Sequence, residues 1–128
     1  MNKSIVSFAL GAAAPMLLWT FMVAIGRAQD PVQLNPEMFK ILLEDERVRV
    51  IDDRVPAGAK VAMHSHGEYV VYPLSSYTMR FTFPDGTTRV VEVQQGTPRH
   101  VKGIVHAEEN IGTTEAHAVL IELKEAAK

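Results

Sequence analysis

Two short stretches carry the residues best suited to chemistry. Residues 58–66 read Gly-Ala-Lys-Val-Ala-Met-His-Ser-His, which sets His64 and His66 two apart. Forty residues further on, 103–110 read Gly-Ile-Val-His-Ala-Glu-Glu-Asn, with His106 shortly after a glycine and Asn110 four residues past it. In an extended chain side chains alternate between faces, so His64 and His66 point the same way, about 6.5–7 Å apart along the strand. Two such imidazoles can converge on one ion, and His106 is the natural third ligand. Three neutral nitrogens leave a divalent charge uncompensated and keep coordination positions free for water or substrate, a catalytic rather than a closed structural pattern. Imidazole suits divalent iron, zinc, nickel or copper and does not choose among them. The plain alternative is three unrelated polar histidines, two of them in a surface loop.

Such a site needs a rigid frame, and the rest of the chain reads as strands and turns. Strands are expected at 47–52, 61–66, 69–72, 77–83, 88–93, 99–101, 105–110 and 116–123, on alternation and β-branched content. In 77–83 the alternation is strict, with Tyr77, Met79, Phe81 and Phe83 on one face and Thr78, Arg80 and Thr82 on the other. Pro84-Asp85-Gly86-Thr87 is a hairpin turn in which glycine supplies a positive φ. Before the first strand, Asn35-Pro36-Glu37 can open a short helix as N-cap, first position and first-turn acid; the alternative is an edge strand over 40–43. Short strands at regular spacing, without a long helix, predict an all-β sandwich or barrel.

The chain has 128 residues, no cysteine and a net charge of −2. Residues 1–28 read as an export signal: Lys3 is the one charge of a short basic start, no charge occurs over 5–25, and Gly26-Arg27-Ala28 offers small residues around a cut after Ala28. The alternative is an uncleaved anchor, since the apolar run approaches the roughly 20 residues that span a bilayer. Cleavage removes two positive charges, Lys3 and Arg27, and moves the net charge from −2 to −4. A mildly acidic domain has no electrostatic footprint for nucleic acid. The expected organisation is a leader over 1–28, a polar linker over 29–38, a β-barrel domain over 39–124 and a polar tail over 125–128. The expected location is the periplasm or exterior, or membrane-anchored facing the periplasm if the leader stays. An oxidising compartment is compatible with the chain, but no disulfide supports the fold.

The two histidine stretches resemble halves of the cupin motifs. Gly58, five residues, His64, one residue, His66 is similar to the opening of the first; Gly103, two residues, His106, three residues, Asn110 is similar to the close of the second. The resemblance spans about 39–124. It implies a double-stranded β-helix, a metal held by His64, His66 and His106 near one mouth of the barrel, and a homodimer. It favours iron or manganese among the candidate metals. The motif's glutamate, three or four residues past the second histidine, is absent, since those positions hold Val70 and Val71. Glu68 is a candidate replacement. Tyr72 shares the parity of His64 and His66, and His117 that of Val119, Ile121 and Leu123, so both are candidates for the cavity wall. Arg80 is a candidate anion binder if its face looks inward. Met63 and Met79 read as core filling and His100 as a surface residue. No nucleophile elbow, phosphate loop or Cys-x-x-Cys occurs. The expected activity is a metal-dependent step on a small molecule, of dioxygenase, isomerase or lyase type. The alternatives are a non-catalytic binding module and an empty scaffold.

Overall fold

The computed structural model describes residues 29–125. The expected leader, 1–28, and the last three residues of the expected tail lie outside the described residues. Among the described residues, nine strands follow one short helix. They are α1 (Pro31–Leu34), β1 (Phe39–Glu44), β2 (Val48–Val55), β3 (Lys60–His66), β4 (Tyr69–Pro73), β5 (Tyr77–Thr82), β6 (Thr88–Val93), β7 (Arg99–Val101), β8 (Ile104–Asn110) and β9 (Ala116–Leu123). Every pairing between them is antiparallel. One sheet runs β1-β2-β9-β4-β7 and the other β3-β8-β5-β6. No described helix is long and apolar enough to cross a membrane.

The strands are those that the alternation predicts, with two informative differences near the start. The helix forms at Asp30-Pro31 instead of Asn35-Pro36, although the capping chemistry is the same. Asp30 accepts a hydrogen bond from the Val32 N–H at 3.0 Å and Pro31 takes a first-turn position. Asn35 ends the helix, and 39–44 takes the edge-strand alternative. Second, β2 continues past Asp52 to Val55, fully paired to β9 from Val48↔Leu123 to Val55↔Ala116. The extension carries Asp53 into the barrel, because β2 turns its odd residues inward: Ile51 and Val55 are completely buried.

The two sheets enclose a core of Phe39, Ile51, Val55, Val61, Tyr69, Met79, Ala116 and Leu120. Burying the larger aliphatic side chains and Phe39 is worth roughly 1.5–3 kcal/mol each, which is the main force closing the sheets on one another. The outer face of the larger sheet carries an apolar row: Leu43, Val50, Ile121 and Val70 stand in register across four strands. Asn110, fully buried at the end of β8, ties the sheets together. Its amide donates to the Val55 carbonyl at 2.9 Å and the Thr114 carbonyl at 2.8 Å, while its oxygen accepts from the Gly112 N–H at 3.0 Å. Gly112 sits tightly there, since a Cβ would lie 3.2 Å from the Thr78 nitrogen, closer than ordinary contact.

Candidate metal centre

A β-bulge in β3 builds the site. Val61 pairs with Glu108 and His64 with His106, so the β3 residues Ala62 and Met63 stand against Ala107 alone. The extra residue resets the phase, and both Val61 and His64 face inward although they stand three apart, with Ala62 and Met63 between them. Met63 is thereby turned out and is 36% exposed, so it does not fill the core; Met79 does. Past the bulge the alternation resumes and His66 joins His64 on the inner face. On β8 the same period puts His106 and Glu108 inside. His64, His66, His106 and Glu108 are all buried, and one donor atom from each lies within 4.8 Å of all the others.

The donors are aimed by what holds their far sides. His64 Nδ1 lies 2.8 Å from the Ala62 carbonyl, an oxygen that only accepts, so Nδ1 carries a proton and Nε2 is the nitrogen turned to the cluster. His66 Nδ1 lies 2.9 Å from Glu122 Oε1, and the other Glu122 oxygen accepts from Arg49 Nε at 2.7 Å. Burial opposes ionisation of Glu122, but the contacts with His66 and Arg49 prevail and hold it below the usual carboxylate range. Burial holds the His66 ring below the ordinary imidazole range, so with Nδ1–H donating to that carboxylate, Nε2 offers a lone pair. Arg49 is braced in turn by Asp30, at 2.6 Å and 3.1 Å. The network thus runs from the helix cap to a ring nitrogen, an outer-shell support that fixes ligand tautomer and orientation.

These protonation states test whether the residues suit an ion. His64 Nε2 and His66 Nε2 face each other at 3.1 Å; burial opposes charging His64, but the Glu108 contact prevails and raises its pKa, so without metal a proton on His64 can bridge the pair, in the place an ion would take. Both ring nitrogens of His106 are buried without a hydrogen-bond partner, although Nε2 is 2.9 Å from Glu108 Oε1. Glu108 Oε1 is 3.6 Å from His64 Nε2. Donors crowded in this way need a shared proton or a metal cation among them. For donors about 2.0–2.2 Å from one ion, tetrahedral or octahedral neighbours lie roughly 3–3.5 Å apart, and the observed contacts scatter around that range. Burial opposes ionisation of Glu108, yet His106 and His64 hold its carboxylate well below the usual range. The group is therefore a negative ligand. The cluster can hold a metal ion.

A cavity of about 260 Å³ adjoins the cluster, lined at its base by His66, His106 and Glu108 and along its sides by Tyr77, Met79 and Phe81. The Phe81 ring stacks on His106 with centroids 4.9 Å apart and planes 9° apart. Tyr69 sits against His66 at 5.0 Å. An apolar surround of this kind lowers the local dielectric and strengthens the site's electrostatics.

No protein-family model matches the chain, and no curated protein sequence matches it. Solved structures do. A cupin domain from Bordetella pertussis aligns with a TM-score of 0.63 at 28% identity, over 68% of this chain and 92% of that one. A cupin-family protein with a double-stranded β-helix fold, from Methanocaldococcus jannaschii, aligns at 0.53 and 16% identity, over 66% and 77%. The protein is a small cupin. Its fold is also that of a polyketide cyclase from Streptomyces resistomycificus, at a TM-score of 0.53 and 19% identity, over 70% and 66% of the two chains.

This cupin draws its carboxylate from an unexpected strand. The positions where the motif usually has glutamate are Val70 and Val71, on β4 of the opposite sheet. Glu108 arrives instead from β8, two residues past His106. The alternation rule that pairs His64 with His66 also pairs His106 with Glu108, so the signal was present; the adjacent Glu109 masks it. Glu68 is not part of the cluster: it is exposed and lies 2.7 Å from His100 Nε2, a surface pair. Tyr72 is 42% exposed on the outer face, because β3 and β4 belong to different sheets and parity does not carry across the turn between them. His117 also lies outside the cavity, with Nε2 2.7 Å from Asp52. In β9 the inward residues are Ala116, Ala118, Leu120 and Glu122, while the more apolar odd set covers the outer face. Arg80 is paired with Glu109 at 2.7 Å and does not line the cavity.

Proposed function

We propose that this cupin is a metal-dependent enzyme of the cell envelope, acting on a small molecule at a centre formed by His64, His66, His106 and Glu108. The observation that carries the reading is the convergence of four buried donors beside a cavity. An ion that prefers five or six ligands, such as iron, manganese or nickel, keeps one or two positions for substrate after these four. Such an ion polarises a bound oxygen atom or brings two reactants together, which suits oxygenation, isomerisation or lyase chemistry. The protein's own part is to gather the donors, to keep Glu108 ionised, to set the ring orientations through Ala62 and Glu122, and to exclude water with Phe81, Tyr69 and Tyr77.

A second reading rests on the same donor count. Zinc takes four ligands in structural sites, and these four can complete its tetrahedron. The protein is then a non-catalytic metal-binding module. Metal analysis of the purified protein beside a His64→Ala/His66→Ala variant separates the readings: one iron, manganese or nickel per chain, lost in the variant, supports the enzyme, and firmly held zinc supports the module. Equal metal in both proteins contradicts the site.

Export rests on the apolar stretch over 5–25 and the small residues before the proposed cut. A homodimer is supported by the outer row Leu43, Val50, Ile121 and Val70, an apolar face that a second copy would cover. Ile121→Asp then yields a monomer by sedimentation, and an unchanged mass contradicts the assignment.

A further inference from the structure

The base of the cavity is acidic and its rim is basic. Arg89 and Arg99 both line it, and both are exposed, which places them at the opening, while His66 and Glu108 are buried. They come from different sheets. Arg89 lies on β6, opposite Phe81 of β5; Arg99 lies on β7, opposite Val71 of β4. Both strands are sheet edges, so the two side chains approach one opening from its two sides. Arg49, Arg54 and Arg80 each have a carboxylate partner. Arg89 and Arg99 have none among the described residues. Two cations at one mouth repel each other, and an anion between them turns that repulsion into attraction. Between rim and base the lining is apolar and aromatic, with Tyr77, Phe81, Val91 and Val93. One further polar group faces this space: Asp53 lines the cavity, and its Oδ1 is buried with no hydrogen-bond partner.

We infer that the cavity takes a small organic carboxylate, with its acid group held at the mouth by Arg89 and Arg99, its apolar body against Phe81 and Val91, and its far end directed at the donor cluster. Asp53 is available to a hydroxyl or amino group on that molecule. This names the substrate class of the proposed metal centre and rests on that reading for the far end alone. Planar guanidinium groups suit carboxylate geometry because they present paired N–H donors. The apolar middle excludes short, highly charged acids.

The test compares benzoate with benzamide, a neutral counterpart of the same shape, by calorimetry on the purified protein, with metal content measured on the same samples. The expected result is that benzoate binds at least about tenfold more tightly than benzamide, as charge-assisted hydrogen bonds require. Arg89→Gln/Arg99→Gln should bring the two affinities together without changing metal content, and Arg89→Lys/Arg99→Lys should keep part of the difference. No binding of benzoate, or no preference for it, overturns the inference. So does a preference that survives the glutamine variant but disappears in His64→Ala/His66→Ala, because the carboxylate then sits on the ion. Protein that holds no metal yet shows an arginine-dependent preference retains the inference and refutes the metal reading.

Discussion

Changing Glu122 to glutamine isolates the contribution of the outer network, because Glu122 touches the centre only through His66. Its two oxygens serve two donors, the His66 Nδ1–H at 2.9 Å and Arg49 Nε at 2.7 Å. Glutamine keeps the shape but has one accepting oxygen. If that oxygen faces His66, the amide N–H₂ points at Arg49, donor against donor; if it faces Arg49, His66 loses its acceptor and is free to take the wrong tautomer. Loss of an outer-shell partner typically weakens metal binding about 10–100-fold, equivalent to roughly 1.4–2.7 kcal/mol. Metal that binds only the folded protein raises stability by the logarithm of its saturation, so the metal-induced stabilisation should shrink by that same amount. For a domain of about 100 residues this is roughly 5–20 °C of metal-dependent Tm shift. The assay is competition against a fluorescent chelator, with melting curves in chelator and in excess metal. The difference between the two melts removes any effect of the substitution on the metal-free fold. An unchanged metal affinity in Glu122→Gln would refute the role assigned to the network.

Three further outcomes follow from the same structure. Glu108→Gln removes the only negative donor of the cluster while leaving the imidazoles in place, and should weaken divalent-metal binding by at least about tenfold in the chelator competition, given the charge lost from the site; equal affinity would exclude Glu108 as a ligand. Burial, then the charges of Glu108 and Asp52, push the Asp53 carboxyl well above its ordinary value, so the metal-free fold takes up a proton. Its contribution to stability is greatest below about pH 3.8 and falls as pH rises toward the folded-state value, by about 1.4 kcal/mol for each pH step between the two. Asp53→Asn should therefore raise the Tm of chelator-treated protein at pH 7 by at least about 5 °C and have little effect at about pH 3, below both values; a decrease at pH 7 would contradict this. Asn110→Ala strands two carbonyls and one N–H that Asn110 now satisfies, and should cost about 3 kcal/mol or more in chemical denaturation; a loss below about 1 kcal/mol would mean that these groups find water.

Much of this architecture was legible from residue order. Period-two alternation marked the strands, and Asp85-Gly86 marked its hairpin, where Gly86 has φ 83° and the Asp85 carboxylate accepts from the Thr87 N–H at 2.9 Å. The three histidines could be grouped because each sits on a strand whose neighbours alternate clearly. What escaped was any relation that depends on which sheet a strand joins. Tyr72 follows His66 closely, yet the turn at 67–68 takes the chain to the other sheet and reverses the sense of inside. His117 sits among the more apolar residues of β9, but those cover the outer face, while the inner face carries Glu122 for the His66 contact. Arg49 and Asp30 are far from the motif in sequence and meet it only through β9 and the helix cap. The bulge at Ala62 and Met63 leaves no local signature, which is why Met63 read as core. Glu108 alone was within reach of the alternation rule.

The most direct test of the metal centre is anomalous diffraction from crystals of the protein grown with a divalent transition metal, collected on both sides of its absorption edge. One strong peak per chain is expected, within about 2.0–2.3 Å of His64 Nε2, His66 Nε2, a His106 ring nitrogen and a Glu108 oxygen. A peak elsewhere, or one reached by the histidines while Glu108 turns away, would contradict this assignment.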